Sequence, residues 1–228
     1  MYILVFLLFF ACQVTPDKNQ LTISISGDPK TIDPIYATDV RSGQICALIY
    51  DNLVRFGNNI EILPSIAKSW IIDNTIYTFH LNTNVYFHNG EKLNANIVKQ
   101  SFERLLNPKN KSHRTWLFNY VEGVDQYKKN LSNTVSGFKV MNDSTLIIKL
   151  KESYAPFLSL LAMPGASIYN EQLIGTGPWI LDDWIHDGHL LFSRNNDYFN
   201  GKANFEKLKV RILPEPLPRS AEFITGYL

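Results

Sequence analysis

Alternation of apolar and polar side chains is sharpest at Ile76–Leu81. Tyr77, Phe79 and Leu81 fall on one face of a strand, and Ile76, Thr78 and His80 on the other. Asn82–Asn84 reads as a turn and Val85–Phe87 as a short returning strand, before Asn89-Gly90 breaks the chain. Asn94 is placed to cap a helix from Ala95, in which Ile97, Val98, Ser101, Phe102 and Leu105 recur at helical spacing until Pro108 ends it. Leu21–Ser26 alternates as cleanly and predicts the first strand.

The loop 27–34 is stiffened by two prolines. A helix is expected over 39–52, with Ile45, Leu48 and Ile49 inward, and a connecting segment over 61–70. Further along, the pattern predicts a short helix over 123–129 and a strand over 144–150 behind the turn Asn142-Asp143. A helix through Leu161 opens at Pro156. Three strands follow over 177–184, 189–194 and 207–213, then a final helix over 217–226. Strands and helices alternate irregularly, with hairpins among them. This predicts an α/β fold with a mixed sheet and covering helices.

Composition narrows the function. Apolar residues make up 45% and aromatics 13%, enough for a packed core. Lys and Arg number 22 against 21 Asp and Glu, a net charge of +1 that argues against nucleic acid as a partner. No nucleophile elbow, phosphate-cradling glycine loop or H-E-x-x-H motif is present, so the chain reads as a non-enzyme without cofactor or metal. His80 with His88, and His186 with His189, read as polar surface. Cys46 sits in an apolar helical stretch and reads as a small buried hydrophobe.

Residues 1–11 are almost wholly apolar and end at Cys12, a run too short to span a bilayer. It has the character of a secretion signal. Phe9-Phe10-Ala11-Cys12 resembles a lipoprotein cleavage box with Cys12 as the lipidated residue. The competing readings are plain secretion or a buried N-terminal strand. Residues 13–20 then form a polar tether, and 21–228 the folded unit.

The order of Trp70, Tyr77-Thr78-Phe79-His80-Leu81, Val85, Phe87-His88-Asn89-Gly90, Asn94-Ala95, Val98, Phe102 and Arg104 resembles that of periplasmic oligopeptide-binding proteins. These form solute-binding family 5 and serve ABC importers. A second block, Gly175-Thr176-Gly177-Pro178-Trp179 with Leu181 and Trp184, then Arg194-Asn195, Asp197-Tyr198 and Gly201, resembles the same family. So does the loop Asp28-Pro29, Thr31-Ile32-Asp33-Pro34. The likeness runs from about Leu21 to Gly226.

This resemblance implies the N-terminal lobe of a periplasmic-binding-protein type II fold. Family members are much longer, so the second lobe is expected to be missing from this sequence. The implied partners are an oligopeptide and the permease subunits of an ABC transporter. The implied location is periplasmic, with a lipid anchor if Cys12 is modified. Alternatives are a single lobe that transports nothing, or a family member for another solute such as nickel or haem.

Six residues are candidate ligand contacts. Asp28 and Thr31 lie in the loop that family members place against the bound chain. Arg114 suits a bidentate grip on a peptide carboxylate, and Trp116 either lines a side-chain pocket or joins the core. Thr176 and Gly177 belong to the glycine block. There, a structural role competes with ligand contact, since Gly175 and Gly177 suit a close approach of backbone to another surface.

Overall fold

A computed structural model describes residues 17–228; the segment 1–12 and the candidate lipidation site Cys12 lie outside them. The α/β class holds, with the strands divided between two four-stranded sheets and a two-stranded ribbon. The first sheet is mixed. Strand β1 (Gln20–Ile25) lies parallel to β10 (Lys207–Ile212), which continues antiparallel through β9 (His189–Arg194) to β8 (Trp179–Ile185). The second sheet is wholly antiparallel, in the order β4 (Ala67–Asp73), β5 (Ile76–Leu81), β7 (Thr145–Lys149), β6 (Phe138–Asn142). Strands β2 (Val54–Phe56) and β3 (Ile62–Pro64) form the ribbon.

Helix α1 (Val40–Ile49) starts at Asp39, whose carboxylate accepts from the Ser42 amide at 3.0 Å. Helix α2 (Ala95–Leu106) starts at Asn94, whose side chain accepts from the amides of Asn96 and Ile97 at 2.9 and 3.0 Å. Each cap satisfies amides that the helix leaves orphaned, a contribution of about 1 kcal/mol. Helix α2 buries Ile97, Val98, Ser101, Phe102 and Leu105, the face expected from their spacing. Phe102 meets Phe118 and Phe138 at ring distances of 4.7 and 5.6 Å, which seats the helix on the second sheet. Short helices α3 (Val124–Lys128) and α4 (Phe157–Leu161) complete this layer, with Phe157 edge-on to Tyr77 at 5.0 Å. Cys46 is fully buried, as its surroundings in the sequence require.

Two expectations fail for a shared reason. β5 pairs with β4, inside the stretch read as a connection, and Val85–Phe87 is not a strand. The hairpin turns at Asn74-Thr75, between Asp73 and its cross-strand partner Ile76. Asn74 takes a left-handed backbone (φ 53°), the conformation that two-residue hairpins need and Asn tolerates. Val85 and Phe87 are buried, but their backbone bonds go to Leu93 and Glu91 in a local loop. Strand β6 was not foreseen. It hides in Phe138–Asn142, where only Phe138 is buried.

Candidate ligand-binding surface

Strand β1 is an edge strand, bonded only to β10. The carbonyls of Asn19 and Ile25 accept from the β10 side, at Lys207 and Leu213. Main-chain groups of successive residues point to opposite edges, so Thr22 and Ser24 turn theirs to the free edge. All residues from Leu21 to Ser26 line an open groove of about 1410 Å³. Its other walls are the start of α1 and the last helix, α5 (Pro216–Thr225). No residue of α5 is buried, and Phe223 and Ile224 face the groove, as does Val40. A smaller hollow of about 370 Å³ adjoins it, sharing Thr38, Asp39, Val40 and Gln44 and adding Arg114.

The rim is cationic. Arg41, Arg219 and, in the smaller hollow, Arg114 line it with one acidic side chain, Asp39, which lies 3.9 Å from Arg41. Burial acts to raise the Asp39 pKa, but hydrogen bonds from the Ser42 hydroxyl and amide, with Arg41 nearby, hold it below the ordinary value. Arg114 donates from Nε and one terminal nitrogen to the Ala37 carbonyl, at 3.2 and 2.9 Å. Among the described residues it has no carboxylate within ion-pair distance. Arg41 and Arg219 were not singled out in the sequence; Arg41, two residues past the α1 cap, was the available signal.

The six predicted residues separate into three places. Asp28 and Thr31 sit in the loop between β1 and α1, where Thr31 is fixed by its amide to the Ser42 hydroxyl (3.3 Å) and by its own hydroxyl to the Asp33 amide (3.0 Å). Arg114 lies in the hollow beside α1, while Trp116, two residues on, is 41% exposed and lines neither cavity. Thr176 and Gly177 are buried at the opposite end of α1, beyond about 15 Å of helix. The Gly177 amide donates to the Ile49 carbonyl at 2.9 Å.

The second motif block is a junction. The Gly177 carbonyl accepts from His88 Nε2 at 2.9 Å and Asn195 Nδ2 at 3.0 Å, so three motif segments meet on one oxygen. Thr176 donates to Asp51 Oδ2 at 2.8 Å and Tyr198 to Oδ1 at 2.9 Å. Burial pushes the Asp51 carboxyl up to about 6, against the pull of these two bonds and of Arg55. Among the described residues no group of three or more His, Cys, Asp or Glu gathers as a metal site would require.

A mixed sheet and a separate antiparallel sheet, joined by helices beside an open groove, define a class: the periplasmic-binding-protein type II fold. A solved oligopeptide ABC transporter substrate-binding domain from Bacillus anthracis str. Ames superposes with a TM-score of 0.87 at 22% identity, over 93% of this chain and 45% of that one. The family follows from the sequence match. Residues 61–228 fit the bacterial extracellular solute-binding proteins, family 5 Middle, and the chain belongs to that family. A nickel-binding periplasmic protein of Escherichia coli (strain K12) is 30% identical over 196 residues, 79% of this chain and 35% of the relative. Di/tripeptide-binding protein 4 of Pseudomonas aeruginosa (strain UCBPP-PA14) is 27% identical, over 92% of this chain and 44% of its own length. The chain spans less than half the length of these relatives.

Proposed function

We propose that this chain carries one lobe of an oligopeptide-binding protein that supplies an ABC importer on the periplasmic side of a bacterial envelope. The observation that carries this reading is the free main-chain edge of β1 along an open groove. An extended peptide pairs its backbone with Thr22 and Ser24 as an added strand, in the manner of β-augmentation. Arg114, and Arg41 and Arg219 across the groove, supply donors for a carboxylate. A second lobe, as the family resemblance implies, would close over the ligand and exclude water. Lipid on Cys12 would tether the protein to the membrane, and permease subunits would receive the cargo.

The nickel-binding relative favours a second reading, a carrier of a metal or metal chelate. Isothermal titration of the purified chain with tri- and tetrapeptides, and in parallel with nickel–histidine, separates the two. Peptide binding at micromolar affinity supports the first. Nickel–histidine binding without peptide binding selects the second, and heat from neither rejects both for the chain alone.

A further inference from the structure

We propose that Asp28 and His186 form a clip that holds the loop after β1 in its ligand-facing shape, a positioning pair and not a ligand contact. The proposal rests on the reading of the groove given above. Both oxygens of the Asp28 carboxylate are occupied. Oδ1 accepts from Trp184 Nε1 at 2.9 Å and Oδ2 from His186 Nδ1 at 2.6 Å, and the side chain is only 19% exposed. Each oxygen thus already accepts one bond from the end of β8, and Asp28 is not among the residues that line the groove.

The loop is pinned at three points. Asp28 fixes it to the β8–β9 hairpin, the Ser42 hydroxyl takes the amides of Lys30 and Thr31, and Asp33 is held by Arg104. The first pin lies two residues beyond Ser26, the last residue of the β1 segment to line the groove. It also has a firm base: the His186 ring lies 4.3 Å from that of Trp184, and Gly188 in the same turn accepts from Ile212 at the end of β10. The charged groups nearest in the chain are Lys30 in the loop and Asp187 in the turn, while Arg41 of α1 packs over Gly27. A backbone edge fixed before the ligand arrives has less freedom to lose on pairing.

Amide hydrogen exchange on the purified chain tests the clip without any ligand. Asp28→Ala, and the exposed-site variant His186→Gln, should each speed exchange at Lys30 and Thr31, whose amides donate to the Ser42 hydroxyl, by about tenfold in the first, with β9 unchanged. Unaltered rates at these amides in both variants overturn the clip. A second arm titrates tetra-alanine with its amine free or acetylated. Asp28→Asn should weaken both by the same factor; a loss confined to the free-amine peptide makes Asp28 a direct contact and overturns the proposal. If the wild-type chain binds neither peptide, the peptide reading fails, and the exchange rates still decide the clip.

Discussion

The Arg104 guanidinium meets the Asp33 carboxylate through two hydrogen bonds of 2.9 and 2.6 Å, tying helix α2 to the loop that leaves the groove. Its carbon centre also lies 5.1 Å from the Tyr169 ring centroid. A planar fork satisfied on both prongs is worth more than a surface ion pair, and both side chains are less than one-third exposed. Arg104→Met should lower stability by about 1.5–3 kcal/mol, read from urea midpoints. Arg104→Lys should recover less than half of that, because an ammonium cannot grip both oxygens in one plane. Full recovery by Lys would show that charge alone matters here.

Gly177 tests whether the glycine block is scaffold. A Cβ at this position would lie 2.6 Å from both the Leu48 carbonyl oxygen and the Ile49 carbonyl carbon, backbone atoms that cannot step aside. Gly177→Ala should therefore destabilise the chain by roughly 1–3 kcal/mol. Gly201→Ala is the contrast. A Cβ there meets nothing within 4 Å, so only the strain of its positive φ (92°) remains. A Gly177→Ala protein as stable as wild type would return this residue to the list of ligand contacts.

Elements governed by near neighbours were legible in the sequence. Asn94 announced α2 because cap, amides and apolar stripe lie within a dozen residues. The partner of β5 was not, because two Asn-containing turns compete and the deciding left-handed Asn74 is a matter of backbone geometry. The site followed the same division. Arg114 was visible as a cation, but the Ala37 carbonyl that orients it is 77 residues away in the chain. Asp28 was visible as an acid in the right loop, while the Trp184 indole that occupies it is 156 residues off. Nothing local marks such a pair.

Asp51 and His88, on either side of the same junction, should give opposite pH trends. Burial raises the Asp51 carboxyl from 3.8 to about 6, so the folded chain keeps its proton to higher pH than the unfolded chain. The stability from this group is complete below about 3.8 and is lost as pH rises to 6, on the order of 3 kcal/mol across the window. Burial lowers the His88 pKa from 6.5, opposed by its bond to Gly177, so its contribution is present above 6.5 and lost as pH falls. In Asp51→Asn only the His88 trend remains. The wild-type-minus-variant difference in urea stability should therefore fall between pH 4 and 6 and level off by pH 7. A flat difference would mean that Asp51 titrates alike in both states.

Ser24 offers the most direct test of strand addition at the groove. Its backbone N–H points to the free edge of β1 and its neighbours Ile23 and Ile25 make the ladder to β10. Proline removes a donor, and edge strands tolerate it where that donor faces outward. Ser24→Pro should thus leave folding cooperative, with a stability change under about 1 kcal/mol, while removing one main-chain bond to an added strand. That bond, and the clash of the ring with a strand approaching the edge, should weaken peptide binding at least tenfold, about 1.4 kcal/mol. Ser24→Ala keeps the N–H and should bind as wild type does, because the contact is to backbone and not to the hydroxyl. Equal affinity for the Pro and Ala variants in the same titration would place the peptide somewhere other than the β1 edge.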